Sequence, residues 1–90
     1  NATLIAAKAA DELIGIRGIE AAFVLGKDDS GISVSGRSLG KVNVQIICER
    51  MGGGGNLTMA GAQFGNVEMD EAESIVRTAI EQYQQEGVQA

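Results

Sequence analysis

Apolar residues in the first segment recur at helical spacing. Ala6, Ala9, Ala10, Leu13 and Ile14 fall at i, i+3, i+4, i+7 and i+8, with Lys8, Asp11 and Glu12 on the opposite side. This spacing predicts a helix over Thr3 to Ile14 with one stripe turned to a core. Ile19 to Gly26 (IEAAFVLG) is short, almost continuously apolar and closed by a glycine, which predicts a strand covered on both faces and central in its sheet. Lys27-Asp28-Asp29-Ser30 before Gly31 has the composition of a hairpin loop. From Ile32 to Ser38 the period drops to two: Ile32, Val34 and Gly36 share one face, and Ser33, Ser35 and Arg37 the other.

Helical spacing returns at Val44, Ile47, Cys48 and Met51, so a second helix is expected over Val44 to Met51 with Asn43 as its N-cap. Four glycines, Gly52 to Gly55, follow it. After them Asn56 to Phe64 reads as a third strand candidate rich in small residues, and Asp70 opens a last helix with Glu73 in a capping-box arrangement. That helix carries Ala72, Ile75, Val76, Ala79, Ile80 and Tyr83 on one stripe and is expected to end at Gly87. The expected fold class is α/β: a small mixed or antiparallel sheet of about three to four strands with three main helices packed on it. Asn1-Ala2 reads as the remnant of a cleaved tag, residues 3–87 as the domain and 88–90 as a frayed tail.

Composition narrows the function. Ninety residues suffice for a single core, and with only 3% aromatic residues that core is built from aliphatic side chains. The formal net charge of −5 argues against broad phosphate-backbone binding, which needs a basic face. Histidine is absent, which removes the usual general base and the commonest metal ligand. The one cysteine, Cys48, allows no intrachain disulfide, and without an activating partner it reads as a small buried hydrophobe. No apolar run reaches the length of a membrane span and none resembles a signal peptide, so the segment is expected to be cytoplasmic and to make no direct membrane contact.

Candidate chemistry concentrates at two places. Asp28 and Asp29 are adjacent carboxylates in a turn with no third ligand or histidine nearby, so they read as surface residues and no metal site is assigned. Gly36-Arg37-Ser38-Leu39-Gly40-Lys41 looks like a nucleoside-triphosphate loop but is one residue short between its glycines, and Val42 stands where Ser or Thr would hold magnesium. Arg37, flanked by Ser35 and Ser38 at a strand end, remains suited to a phosphate oxygen. Gly52-Gly53-Gly54-Gly55 carries no Cβ to keep a ligand away, and its amides suit an anion.

The two stretches Ser35-Gly36-Arg37-Ser38-Leu39-Gly40 with Asn43-Val44-Gln45, and Gly52-Gly53-Gly54-Gly55-Asn56-Leu57-Thr58-Met59-Ala60-Gly61, resemble the DHHA1 domain that follows the catalytic DHH domain of a phosphoesterase superfamily. Within it they are most similar to the C-terminal part of the membrane-anchored cyclic-di-AMP phosphodiesterases of the GdpP type. The resemblance covers nearly the whole chain. It implies a substrate-binding domain, inactive alone, of an enzyme that opens a cyclic dinucleotide to a linear one. The catalytic metal site, with two manganese ions, would lie in a DHH domain outside this chain, so no catalytic residue, metal ligand or cofactor is expected here. The implied substrate contacts are Ser35, Arg37, Ser38, Gly52, Gly53, Gly54, Gly55 and Asn56. The implied partners are the dinucleotide, the DHH domain and a second copy in a homodimer. The parent protein would be anchored in the membrane with this domain on its cytoplasmic side.

One position departs from the family's pattern. Asn56 stands where the motif normally has His, and Asn cannot become cationic, so a charge-assisted phosphate contact is lost or replaced there. Two alternatives compete with the substrate-binding reading. One is a nucleic-acid-binding module of an oligonucleotide or single-strand exonuclease, against which the net charge weighs. In the other, the glycine run is a tight connector and the domain contributes dimer or interdomain contacts.

Overall fold

The computed structural model describes residues 1–89. Three helices and four strands run in the order α1 (Ala2–Ile14), β1 (Ala21–Asp28), β2 (Gly31–Ser38), α2 (Val44–Arg50), β3 (Gly54–Gly55), β4 (Met59–Phe64) and α3 (Met69–Gln89). Every strand pair is antiparallel, in the order β1-β2-β4-β3, so the sheet is antiparallel rather than mixed. The helices form two layers around it: α1 lies on one face, and α2 with α3 beside it on the other.

β2 is the central strand and β1 is an edge, contrary to the expectation from its apolar run. β1 is covered by a layer on each face, which explains its composition, but the hairpin register from Ala21↔Ser38 to Asp28↔Gly31 uses only one of its edges. Of the third strand candidate only Met59–Phe64 is strand: Asn56 to Thr58 turn the chain back, and the strand that pairs beyond the turn is Gly54–Gly55, the second half of the glycine run. α3 opens at Met69 instead of Asp70. The Asp70 carboxylate accepts from the Glu71 amide, and Glu73 pairs with Arg77 one turn on, so no capping box forms. The helix also continues through Gly87 to Gln89, beyond its expected end. Of the expected 88–90 tail, Ala90 lies outside the described residues.

The main core gathers Val34, Ala60 and Ala62 from the sheet, Val44, Ile47, Cys48 and Met51 from α2 and its C-cap, and Val76 and Ala79 from α3. The predicted α3 stripe is the one buried, and Tyr83 adds a polar tie: its hydroxyl accepts from the Asn43 backbone amide at 2.9 Å. Asn43 in turn caps α2 through Oδ1, which accepts from Gln45 N and Ile46 N. Arg50 on α2 donates to Glu86 on α3, a pairing that holds the Glu86 carboxyl below the usual carboxylate range.

α1 packs through alanines. Ala2, Ala6 and Ala10 are buried at four-residue spacing, whereas Leu4 and Ile5 point outward, and of the predicted stripe Leu13 is exposed and Ala9 and Ile14 only half-buried. Small side chains let the helix approach the small-residue face of β1 and β2; a Cβ on Gly26 would lie 2.9 Å from the Ala2 carbonyl. That helix therefore covers Ser33 and Ser35, which the alternation alone leaves as an ordinary solvated face. Asn1 caps α1 by accepting from Leu4 N.

Asp28 joins the β1–β2 turn to the start of α1. Its Oδ2 accepts from Ala2 N at 3.0 Å and its Oδ1 from Ser30 N at 2.9 Å. These two backbone donors, Ala2 first, hold the carboxyl below its ordinary value. With the native pKa depressed, the stabilisation is complete above the unfolded-state pKa of about 3.9 and disappears as pH falls through the lowered native value. Asp28→Asn should therefore melt a few degrees below the parent at pH 7, and the gap should close by about pH 2. Thermal unfolding of both proteins across that range checks this, and a gap independent of pH would refute it.

Candidate functional site

The open part of the α1 face lies over β4. Register places Gln63 opposite Ser33, Gly61 opposite Ser35 and Met59 opposite Arg37, so these six residues form two parallel rows on one surface. α1 lies along the β1 and β2 side of that surface. Between α1 and the glycine run is a groove of about 380 Å³ with Ser33, Ser35, Gly61 and Gln63 in its floor and Thr3, Gly52 and Gly53 at its margins. None of its lining residues is charged. The Thr3 and Ser33 hydroxyls are 2.6 Å apart, and Gln63 Nε2 donates to Thr3 Oγ1 at 3.4 Å.

The four glycines stand where they do for different reasons. Gly52 has φ +84 and ends α2 as its left-handed cap: its amide donates to the Glu49 carbonyl, and the Gly53 amide donates to the Cys48 carbonyl at 2.8 Å. These two amides are therefore spent on the helix end and are not free to cradle an anion, which corrects the expectation for that half of the run. Gly53 also passes so close to β4 that a Cβ would lie 2.0 Å from the Gly61 carbonyl oxygen. A Cβ on Gly55 would lie 2.4 Å from Ala60 Cα. At Gly54 a Cβ would meet nothing within 4 Å, and no positive φ demands glycine.

Arg37 sits at the α1 end of the same surface, two residues along β2 from Ser35. Its Nε donates to Asp11 Oδ1 on α1 at 2.7 Å, and its Nη1 donates to the Gly36 carbonyl at 2.9 Å. The side chain is 11% exposed, against 59% for Asp11. Ser38 faces inward: its hydroxyl donates to the Val42 carbonyl and accepts from Gly40 N, bracing the turn between β2 and α2. Asn56 starts the β3–β4 turn. Its Oδ1 accepts from Thr58 N and Met59 N, and its backbone amide donates to the Met59 carbonyl. Because the partners of Oδ1 are backbone donors, the amide orientation is fixed by chemistry, and the two Nδ2 hydrogens take no part in the turn.

Of the predicted site residues, Ser35, Gly52 and Gly53 meet at the groove. Arg37 lies farther along the surface, and Asn56 in the turn that ends at Met59, the residue paired with Arg37. Thr3, Asp11 and Gln63 carry no signal in the sequence that marks them as site residues. Period-two spacing puts Gly61 and Gln63 on one face of a strand, but only the β2–β4 register brings them against Ser35 and Ser33. Among the described residues no group of three or more His, Cys, Asp and Glu side chains is placed to hold a metal ion. No helix among them is long and apolar enough to cross a membrane.

Residues 2–86 match the model of the DHHA1 domain family. Cyclic-di-AMP phosphodiesterase GdpP of Geobacillus thermodenitrificans (strain NG80-2) is 48% identical over 81 residues, which is 89% of this chain and 12% of that protein. Cyclic-di-AMP phosphodiesterase PdeA of Listeria monocytogenes serotype 1/2a (strain 10403S) is 45% identical over 82 residues, covering 90% of this chain and again 12% of the relative. Among solved structures, an exopolyphosphatase-related protein from Bacteroides fragilis superposes with a TM-score of 0.72 at 29% identity, over 82% of this chain and 22% of that one. The chain thus spans about an eighth of the two phosphodiesterases it matches.

Proposed function

This chain belongs to the DHHA1 domain family, and from that premise we propose that it is the substrate-holding domain of a phosphodiesterase that hydrolyses a cyclic dinucleotide, cyclic-di-AMP, to the linear dinucleotide. In this reading the two-metal site belongs to a DHH domain of the same protein, and the intact protein is a homodimer anchored in the membrane with this domain on the cytoplasmic side. The observation that carries the reading is that an uncharged hydrogen-bonding groove and the Arg37 guanidinium lie on one face of the sheet. The groove, with hydroxyls, an amide and bare glycine backbone but no charge, suits a ribose or base edge. Arg37 suits a phosphate oxygen, through a charge-assisted hydrogen bond. Ser38 serves by bracing the turn that follows Arg37, and Asn56 offers Nδ2 as a neutral donor where the family has His. Gly54 and Gly55, next along the chain from the groove-lining Gly53, present bare, exposed backbone.

Titrating the protein with cyclic-di-AMP and with linear diadenylate, while following amide and Arg Nε–H signals by NMR, tests this. Signals of Ser35, Gly53, Gly54 and Arg37 should move together, and Arg37→Ala should weaken binding by about tenfold, the equivalent of one charge-assisted hydrogen bond. Stationary signals at millimolar nucleotide would exclude the reading. Tighter, steeply salt-dependent binding of a short oligonucleotide would replace it with the nucleic-acid one.

A further inference from the structure

We infer that Asp11 is a positioning residue for Arg37: it holds the guanidinium by its Nε edge and so presets the Nη edge for a phosphate oxygen. This rests on the reading of Arg37 given above. A guanidinium carries five N–H donors. One goes to Asp11 Oδ1 at 2.7 Å and one to the Gly36 carbonyl at 2.9 Å. Two bonds from different nitrogens fix the plane of the group, and three donors, two on Nη2 and one on Nη1, stay outside these bonds. The anchors come from separate elements, α1 and β2, so the orientation depends on the helix lying across the sheet.

Two effects of Asp11 oppose one another. Its charge partly neutralises Arg37, which would weaken attraction for a phosphate. It also freezes a side chain that is otherwise rich in rotamers, so less freedom is lost when the ligand binds. Ordering dominates, because Asp11 is 59% exposed and water attenuates the reach of its charge beyond the contact, whereas Arg37 loses its remaining rotamer freedom to the two anchors. Asp11 itself is 59% exposed, so its removal leaves no cavity, and thermal unfolding of Asp11→Ala checks that the fold is kept before its affinity is read.

The experiment follows the Arg37 Nε–H signal and the affinity for linear diadenylate in the parent, Asp11→Ala, Asp11→Glu, Arg37→Ala and the D11A/R37A double variant. Asp11→Ala should lose the shifted, exchange-protected Nε–H signal and bind about two- to tenfold more weakly, the range expected for one side chain that must be ordered on binding. Asp11→Glu should recover part of both. Adding D11A to R37A should change nothing further, since Asp11 acts only through Arg37. An unaltered Arg37 signal in Asp11→Ala overturns the inference whatever the ligand does. So does equal weakening by D11A in both backgrounds, the mark of a merely structural role. If R37A weakens binding while D11A does not, the positioning inference fails and the reading of Arg37 stands; if R37A binds like the parent, both fail.

Discussion

Gly53→Ala should lower the melting temperature by at least about 12 °C, whereas Gly54→Ala, one residue along, should melt like the parent or slightly above it and lose ligand affinity instead. At Gly53 the added Cβ would lie 2.0 Å from the Gly61 carbonyl oxygen and 2.7 Å from Ala62 Cα. Both obstacles are backbone of β4, which cannot rotate away as a flexible side chain would. Overpacking a core typically costs about 1–3 kcal/mol, and sometimes more; an obstruction by backbone belongs at or above the top of that range. Domains of this size hold only about 5–15 kcal/mol in total, and about 1 kcal/mol shifts their melting by roughly 4–8 °C. Movement of Gly53 would also break its bond to the Cys48 carbonyl, which closes the end of α2.

At Gly54 none of this applies. A Cβ has open space there and the backbone is outside the left-handed region, so alanine gains up to about 0.4–1 kcal/mol by restricting the unfolded chain. A glycine that the fold does not require is a reason to look outside the fold. If nucleotide or a neighbouring domain approaches the bare backbone here, a methyl group blocks it. Thermal unfolding of the two variants, paired with the diadenylate titration, separates the roles. A Gly53→Ala protein that melts within a few degrees of the parent would show that β4 yields more easily than its close approach implies. A Gly54→Ala protein that binds normally would leave the four glycines as a connector.

That contrast also shows how far the sequence could be read. Local features were legible: the α3 stripe from Ala72 to Tyr83 and the Asn43 cap depend on spacings within one turn of helix, and both are present. The α/β class and the two motifs with their family were legible for the same reason. What depended on which surfaces meet was not. The run from Ile19 to Gly26 is apolar because layers cover both faces of β1, and composition cannot distinguish that from a central strand. Ser33 and Ser35 look solvated until the alanine stripe of α1 is laid over them. Arg37 is readable as a phosphate ligand, but Asp11 lies 26 residues away, and only the packing of α1 makes the two meet. Gly52 to Gly55 are one letter repeated, while the structure requires a left-handed cap, two close approaches and, at Gly54, nothing internal.

Cys48 should react with a disulfide reagent at pH 8 at least about 10³-fold more slowly in the native protein than in denaturant. In the native state both the thiolate and access to it are suppressed. Burial pushes the thiol up to about 11, so roughly one molecule in a thousand carries the thiolate at pH 8, against roughly one in four for an ordinary cysteine. The side chain is also 0% exposed, between α2 and the α3 layer, so reagent reaches it only when the core opens. Because Cys48 belongs to the main core cluster, that opening is expected to approach global unfolding, whose population in a domain of this stability is about 10⁻⁴ or less. The thiol then reports on the link tested above, since the carbonyl of the same residue accepts from Gly53 N. A loss of about 3 kcal/mol in Gly53→Ala should speed labelling by roughly 10²-fold, if reclosing is faster than reaction, whereas Gly54→Ala should leave the rate as it is or slow it by up to about fivefold. Native labelling within tenfold of the denatured rate would mean that α2 detaches from the sheet in a local opening. In that case the end of α2 and the glycine run would move as a unit separable from the rest of the core.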